Sequence, residues 1–402
     1  MIPQTTPRSE RLHIGIFGKR NAGKSSLLNA ITGQNVAVIS PVKGTTTDPV
    51  FKTMELLPLG PVVFIDTPGF DDEGELGELR VEKTRNILRK TDIAILVVDD
   101  ASSLEANCEL IAMFDIADVK YITVYNKREP IPPVDTAVSA EDNGHARLSP
   151  PLYVNAATGE NIDALKNLLA QIKPATHPSH PLVADILCPN DTVILVTPID
   201  ESAPKGRLIL PQQQVIRDIL AARAIPMLTQ TEELSAALAS LRHPPKLVIT
   251  DSQAFKQVAA ILPPDTPLTS FSILFARHKG VLHQAVQGAR AIDNIRTGDN
   301  ILISEGCTHH RQCDDIGTVK IPRGIEAHTG AKPIYTFSSG GEFPQELSRF
   351  KLIIHCGGCM LNNREMLYRQ NAAQAAGIPI TNFGVALSHM QGILRRCVAG
   401  IM

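Results

Sequence analysis

Two thiols separated by two glycines, Cys356-Gly357-Gly358-Cys359, follow directly on His355 and an apolar run at residues 351–354. A third thiol stands upstream in Cys307-Thr308-His309-His310, so the two segments offer three thiols and several imidazoles, enough to hold a soft metal centre. Gly357 and Gly358 let the backbone curl so that Cys356 and Cys359 face one point, and their amides can hydrogen-bond to sulfide or thiolate. Three cysteines suit a 4Fe-4S cluster whose fourth iron takes a weaker, replaceable ligand. His309, His355, Cys313, Asp314 and Asp315 are the candidates for that position. A structural zinc of Cys3His type is the alternative, whereas a thioredoxin-like pair would leave the third cysteine without a role.

A second constellation lies near the start. Residues 18–25 read GKRNAGKS, a phosphate-binding loop in which glycines let backbone N–H groups turn inward. Lys24 supplies a cation for the β and γ phosphates, and the Ser25 hydroxyl can bind magnesium. The apolar run at 62–66 ends in Asp66-Thr67-Pro68-Gly69, placing a carboxylate at a strand's end where it can hold magnesium through water. Between them, Gly44-Thr45-Thr46-Thr47-Asp48 is a polar loop able to close over the γ phosphate. After a run at 121–125 comes Asn126-Lys127-Arg128-Glu129, whose carboxylate can accept two hydrogen bonds from the edge of guanine but not adenine.

The elements that must position these residues follow from the pattern of apolar runs. Residues 13–17 predict the strand that feeds the phosphate loop, and 26–31 a helix ending near Gly33. Residues 161–172 predict a helix with Ile162, Leu165, Leu168, Leu169 and Ile172 on one face. Three prolines in residues 173–181 predict a linker, with His177 and His180 as solvated linker histidines. Strands at 192–196, 227–228 and 246–250 then alternate with helices at 212–222, 232–241 and 252–261. That alternation predicts a small parallel α/β domain without a site of its own, suited to dimerisation. Strands at 268–271, 301–303, 335–337, 351–354 and 378–381 predict a third α/β domain. Both cysteine segments fall at carboxyl ends of its strands, where sites in open parallel sheets form.

Composition bounds the rest. The 402 residues call for two or three domains, and a net charge of -2 gives no pull toward nucleic acid or anionic lipid. No apolar run reaches the ~18 residues of a membrane span, and the polar start lacks a secretory signal, so a cytoplasmic protein is expected. The seven cysteines are then read as metal ligands or thiols rather than disulfides. Cys108, Cys188 and Cys397 stand alone and read as small buried hydrophobes.

With Asn155-Ala156-Ala157 as the base-loop element, the nucleotide segments resemble the translation-factor-like GTPases, nearest the Era and TrmE group, over residues 11–173. The resemblance implies GTP contacts from Gly18, Asn21, Ala22, Gly23, Lys24, Ser25, Ser26, Asn126, Lys127, Glu129, Asn155, Ala156 and Ala157. It implies Mg2+ on Ser25, Thr46 and Asp66, catalysis by Lys24, Thr46, Asp66 and Gly69, and a potassium ion (K+) on Asn21. The chain departs from the pattern in having Glu129 where aspartate is usual and Asn155-Ala156-Ala157 where Ser-Ala-Lys is commoner. Phe70 stands where small GTPases carry the water-orienting glutamine, so hydrolysis is expected to be slow, with K+ near Asn21 supplying the charge of an arginine finger.

Cys-x-His followed by His-Cys-x-x-Cys behind a GTPase domain resembles the HydF family, the maturation GTPases of FeFe-hydrogenase. That resemblance implies three α/β domains: a GTPase domain (1–173), a linker (174–182), a dimerisation domain (183–266) and a cluster domain (267–402). It further implies a 4Fe-4S cluster on Cys307, Cys356 and Cys359, with His309, His355 or Asp314 as the possible fourth ligand. The implied role is a homodimeric scaffold that serves the FeFe-hydrogenase apoprotein together with two radical maturases, and acts on neither nucleic acid nor membrane. Cys313 is not a feature of that pattern. The competing expectation is an RNA-associated GTPase of the Era or TrmE kind with a zinc-stapled C-terminal domain.

Overall fold

A computed structural model of the chain describes residues 6–33, 49–57, 59–69, 75–98, 107–126, 151–172, 180–198, 208–307 and 315–402, without the side chains of 75–80. The chain divides into two compact units, residues 1–176 and 177–402.

In the first unit six strands form one sheet: β1 (Leu12–Phe17), β2 (Val50–Leu56), β3 (Gly60–Asp66), β4 (Ile93–Val98), β5 (Lys120–Asn126) and β6 (Leu152–Val154). Their order is β2-β3-β1-β4-β5-β6, with β2 antiparallel to β3 and the remaining neighbours parallel. Alternate residues serve two cores. Ile14, Ile16 and Phe64 pack with the helices Lys24–Thr32 and Ile162–Gln171, while Phe17, Val63 and Ile65 pack with Phe114 of the helix Cys108–Ile116. A parallel sheet covered on both faces needs apolar residues at every position, which is why these strands read as unbroken runs. The chain leaves central β1 toward β3 and later returns to its other side as β4. The phosphate loop therefore opens at the point where the winding reverses, where ligands sit in such sheets.

The second unit contains two four-stranded parallel sheets. One is built from β7 (Thr192–Val196), β8 (Ile225–Thr229), β9 (Leu247–Thr250) and β10 (Leu268–Ser270), in the order β10-β9-β7-β8. The other is built from β11 (Asn300–Ser304), β12 (Ile334–Ser338), β13 (Leu352–His355) and β14 (Ile380–Asn382), in the order β12-β11-β13-β14. Here the sequence expectation needs correction. The strand at 268–271 was assigned to the third domain, yet it pairs with β9 in the register Leu268↔Val248 to Ser270↔Thr250. The helix Phe255–Ile261 is the crossover that returns the chain to the same sheet, and alternation of strand and helix does not disclose where one sheet ends and the next begins. The two sheets share one core, in which Val193, Ile249 and Leu268 pack in the same cluster as Ile301, Ile303 and Ile354.

Residues 173–179 lie outside the described set, but Leu182 is already buried and the Pro181 carbonyl accepts from Arg277 Nη1 at 2.8 Å. Arg277 also pairs with Asp185 at 2.6 Å and donates Nε to the Ile401 carbonyl at 2.6 Å, joining the two ends of the unit. Strands β8 and β12 are sheet edges within the chain and expose apolar side chains, Ile225 and Leu228 on one, Ile334 and Phe337 on the other. Among the described residues no helix is long and apolar enough to cross a membrane.

Candidate nucleotide site and candidate metal centre

The phosphate loop runs from the end of β1 into the helix Lys24–Thr32. Gly23 caps that helix at φ +87°, a left-handed conformation, and a Cβ there would collide with the Asn126 side chain. Lys24 is buried, and its Nζ donates to the carbonyls of Gly18 (3.0 Å) and Lys19 (2.6 Å), so the cation is held across the loop. Ser25 Oγ donates to Asp66 Oδ2 at 2.6 Å, while Asp66 Oδ1 is buried with no hydrogen-bond partner among the described residues. Burial pushes the Asp66 carboxyl above its usual range, opposed by the Ser25 hydrogen bond and the Lys24 charge. An orphaned, costly carboxylate oxygen beside a loop hydroxyl fits a hydrated Mg2+.

Asn126 ties the phosphate loop to the base loop. Its Oδ1 accepts from the Ala156 amide at 3.1 Å, and its Nδ2 donates to the Gly23 carbonyl at 3.5 Å. Asn155 shapes the base loop by accepting from the amides of Ala157 (3.0 Å) and Thr158 (3.2 Å). Ala22 is buried, Ser26 is half-buried in the first helical turn, and Gly69 packs against the Arg20 backbone. Asn21 is exposed and left-handed at φ +63°. Thr46 with the whole 44–48 loop, Phe70, Lys127 and Glu129 lie outside the described residues.

The cysteine segments leave adjacent strands, since β11 and β13 are parallel neighbours with Ser304 opposite His355. The Cys356 amide donates to the Ser304 carbonyl at 2.9 Å, which brings the loop beginning at Glu305 against Cys356. Cys356 Sγ accepts from the amides of Gly306 (3.0 Å) and Gly358 (3.4 Å). Gly358 sits at φ +67°, and a Cβ there would come within 2.6 Å of Met366 Sδ. Burial pushes both thiols up, Cys359 to about 12 with Cys356 as the next cause, while the two amides and Arg369 favour the Cys356 thiolate. Cys307 is half-buried and forms no disulfide. His309, Cys313 and Asp314 lie outside the described residues. Asp315 accepts from the Thr318 amide at 2.9 Å and caps the following turn.

His355 departs from the expectation that it could be the fourth ligand. It follows Ile353 on the face away from Ile354, and both ring nitrogens are engaged: Nδ1 with the Cys356 carbonyl at 2.8 Å, Nε2 with Arg369 Nη1 at 2.9 Å. Burial, then the Arg369 charge, lowers its pKa to about 3. The ring is therefore neutral, donates from Nδ1 to the carbonyl and accepts at Nε2 from the guanidinium, with no lone pair left for a metal. It holds the Cys356 backbone instead.

Sequence reasoning missed the cations around the thiols. Arg369 is fully buried and donates to Ser304 Oγ (3.2 Å), the Gly340 carbonyl (2.7 Å) and Glu365 Oε1 (2.7 Å). Lys279 is also buried, donates to the Leu361 carbonyl at 2.9 Å, and its charge favours the Cys359 thiolate. Buried Glu305 opposes the Cys356 thiolate. The signal was weak: Glu365 and Arg369 are four residues apart on the helix Asn363–Ala375 and read as an ordinary surface pair. Thiols, inward amides, and the buried cations Arg369 and Lys279 set against buried Glu365 and Glu305 make a donor set that a thiolate-bound iron-sulfur cluster fits. Cys108 and Cys188, expected to be buried, are exposed, and Cys397 is buried as expected.

Family comparisons cover most of the chain. Residues 182–280 match the hydrogen maturase F dimerization domain, 283–400 the hydrogen maturase F tetramerization domain, and 13–127 a family described as 50S ribosome-binding GTPase. The break between the first two falls after β10, in accord with the sheet pairing. GTPase Era of a Nostoc species is 30% identical over 250 residues, covering 60% of this chain and 73% of Era. The tRNA modification GTPase MnmE of Chromobacterium violaceum is 31% identical over 164 residues, and the match spans 40% of this chain but only 35% of MnmE. A solved Aquifex aeolicus Era bound to GDP and AlF4- shares 20% identity over 54% of this chain and 91% of its own, with a TM-score of 0.34.

Proposed function

The chain belongs to the hydrogen maturase F family and carries a GTPase domain of hydrogenase maturation; from that premise we propose a GTP-hydrolysing scaffold that holds a 4Fe-4S cluster on Cys307, Cys356 and Cys359. In this reading the scaffold takes part in assembling the diiron subcluster and delivering it to apo FeFe-hydrogenase, in concert with two radical maturases. Family membership over residues 182–400 displaces the RNA-directed alternative, and the dimerization and tetramerization domains imply self-association. The observation that carries the cluster reading is the arrangement at the ends of β11 and β13: thiols met by amide donors and by the buried cations Arg369 and Lys279.

When bound, the cluster supplies an iron position open to exchange. The chain's own residues do the rest. Gly306 and Gly358 amides and the two cations stabilise thiolates that burial alone would keep protonated, so loading the site releases protons. At the nucleotide site Lys24 turns from the loop carbonyls to the β and γ phosphates. Ser25 and Asp66 would hold Mg2+, Asp66 through water, and the ion would supply positive charge to the phosphates. Thr46 would complete that ligand set, Lys127 and Glu129 would read guanine, and K+ held by Asn21 would supply positive charge to an otherwise slow hydrolysis.

Anaerobic purification, reconstitution with iron and sulfide, and electron paramagnetic resonance test the cluster; stoichiometric zinc with no cluster signal overturns it. Cys307→Ser, Cys356→Ser and Cys359→Ser are each expected to lose the cluster while keeping GTP hydrolysis. Hydrolysis is expected to be faster in potassium than in sodium, and equal rates remove Asn21 from the mechanism.

A further inference from the structure

A second set of ligand-type side chains lies at the other end of the β11–β14 sheet. Asp293 belongs to the turn Arg290–Asn294 that precedes β11, His328 to the last turn of the helix Ile321–Thr329, and His389 to the last turn of the helix Phe383–Met390. The helix Ile321–Thr329 connects two parallel strands, so it returns antiparallel to them and its carboxyl end lies toward the strands' amino ends. The cysteine loops leave from the opposite ends.

His328 Nε2 lies 2.8 Å and His389 Nε2 2.9 Å from the same oxygen, Asp293 Oδ1. The three ligand atoms fall within 4.8 Å of one another, and this is the one such set of histidine, cysteine and carboxylate groups among the described residues. The rings are tilted by 58° rather than stacked, and both Nε2 atoms meet the same Asp293 oxygen. All three side chains keep partial exposure, with Asp293 half accessible, so an ion can enter. The hydrogen bonds from His328, then His389, hold the Asp293 carboxyl below its usual range. A further feature favours positive charge: each histidine sits in a last helical turn, where free carbonyls give the negative end of the helix dipole.

We propose that Asp293, His328 and His389 form a divalent-metal site of the two-histidine, one-carboxylate kind, taking a borderline ion of the zinc class with water in the remaining position. Imidazole ligands select zinc-class ions, whereas calcium and magnesium call for an all-oxygen set. Each imidazole donates Nε2–H to the carboxylate. On binding, that proton leaves for the ring's Nδ1 or for water, the Nε2 lone pair goes to the ion, and the carboxylate exchanges two hydrogen bonds for one coordinate bond. The ion ties the turn before β11 to two helices of the same domain, and the site is independent of the cysteines.

The test uses the untagged full chain after iron-sulfur reconstitution, dialysed anaerobically against Ni2+. Metal analysis is expected to find one nickel per chain, with X-ray absorption showing nitrogen and oxygen ligands and no sulfur. His328→Gln/His389→Gln is expected to lose this nickel while GTP hydrolysis and iron content stay unchanged. Asp293→Asn, which keeps the side chain's shape, is expected to weaken binding by at least the ~10-fold that loss of an outer-shell partner costs. Failure of the wild type to retain nickel, sulfur ligation of the retained ion, or equal uptake by the double variant overturns the proposal and leaves a hydrogen-bonded triad.

Discussion

The nucleotide site and the cysteine centre are both built from loops that leave neighbouring parallel strands, yet they manage charge in opposite ways. At the first, the charged groups lie in the motifs themselves: Lys24 is held on the loop carbonyls, and Asp66 carries a buried oxygen with no hydrogen-bond partner among the described residues. At the second, the motifs supply only thiols, and the charges come from outside them, from Arg369 and Lys279 in helical or post-helical positions. Spacing in a sequence marks the atoms that touch a ligand. It does not mark the groups that make the ligand's charge tolerable.

This contrast breaks most visibly at Arg369. Arg369→Met leaves Glu365 buried without its partner and removes the donor to His355, and is expected to destabilise the second unit by ~3–5 kcal/mol in urea denaturation. An effect near zero would mean the guanidinium is an ornament of the fold. Asp66→Asn tests the other side. Mg2+-dependent GTP hydrolysis is expected to fall by roughly 100-fold or more, because a preorganised charge is lost. The nucleotide-free variant is nevertheless expected to unfold at higher denaturant concentration than wild type, since ionising Asp66 in the fold is unfavourable.

Acid sharpens the comparison. His355 is held near pKa 3 against an ordinary 6.5, so the unfolded chain binds its proton first and the second unit loses stability as pH falls from 6.5 toward 3. One proton gives a slope of at most ~1.4 kcal/mol per pH unit. Asp66 has the opposite sign: its folded pKa lies above 3.8, so its stability contribution declines as pH rises through that range and recovers on acidification. Denaturation curves followed by probes in each unit between pH 4 and 7 are expected to diverge accordingly.

Much of the chemistry was legible. Residues 18–25, Asp66 and the three cysteines announce themselves by type and spacing, because phosphate and soft-metal ligation demand them. Less was legible where tertiary placement decides. Ile93–Val98 is buried at every position, yet its apolar run carries no chemistry and escaped notice as the strand that completes the switch point. Residues 268–270 were read correctly as a strand and assigned to the wrong sheet, because strand order is set by the crossover and not by the strand. His355 looked like a ligand because it adjoins Cys356, but consecutive residues of a strand face opposite sides, and its side chain belongs to the other core. His328 and His389 lie far apart in sequence from Asp293, and no spacing rule joins them.

The common core beneath β7–β10 and β11–β14 has a mechanical consequence. Val193 and Ile354 are embedded in one apolar mass, so the sheet matched to the dimerization domain and the sheet that presents the cysteines share a core. A displacement at the exposed edge of β8 is expected to press on that shared core. Side-chain packing would carry it toward the loops that leave β11 and β13.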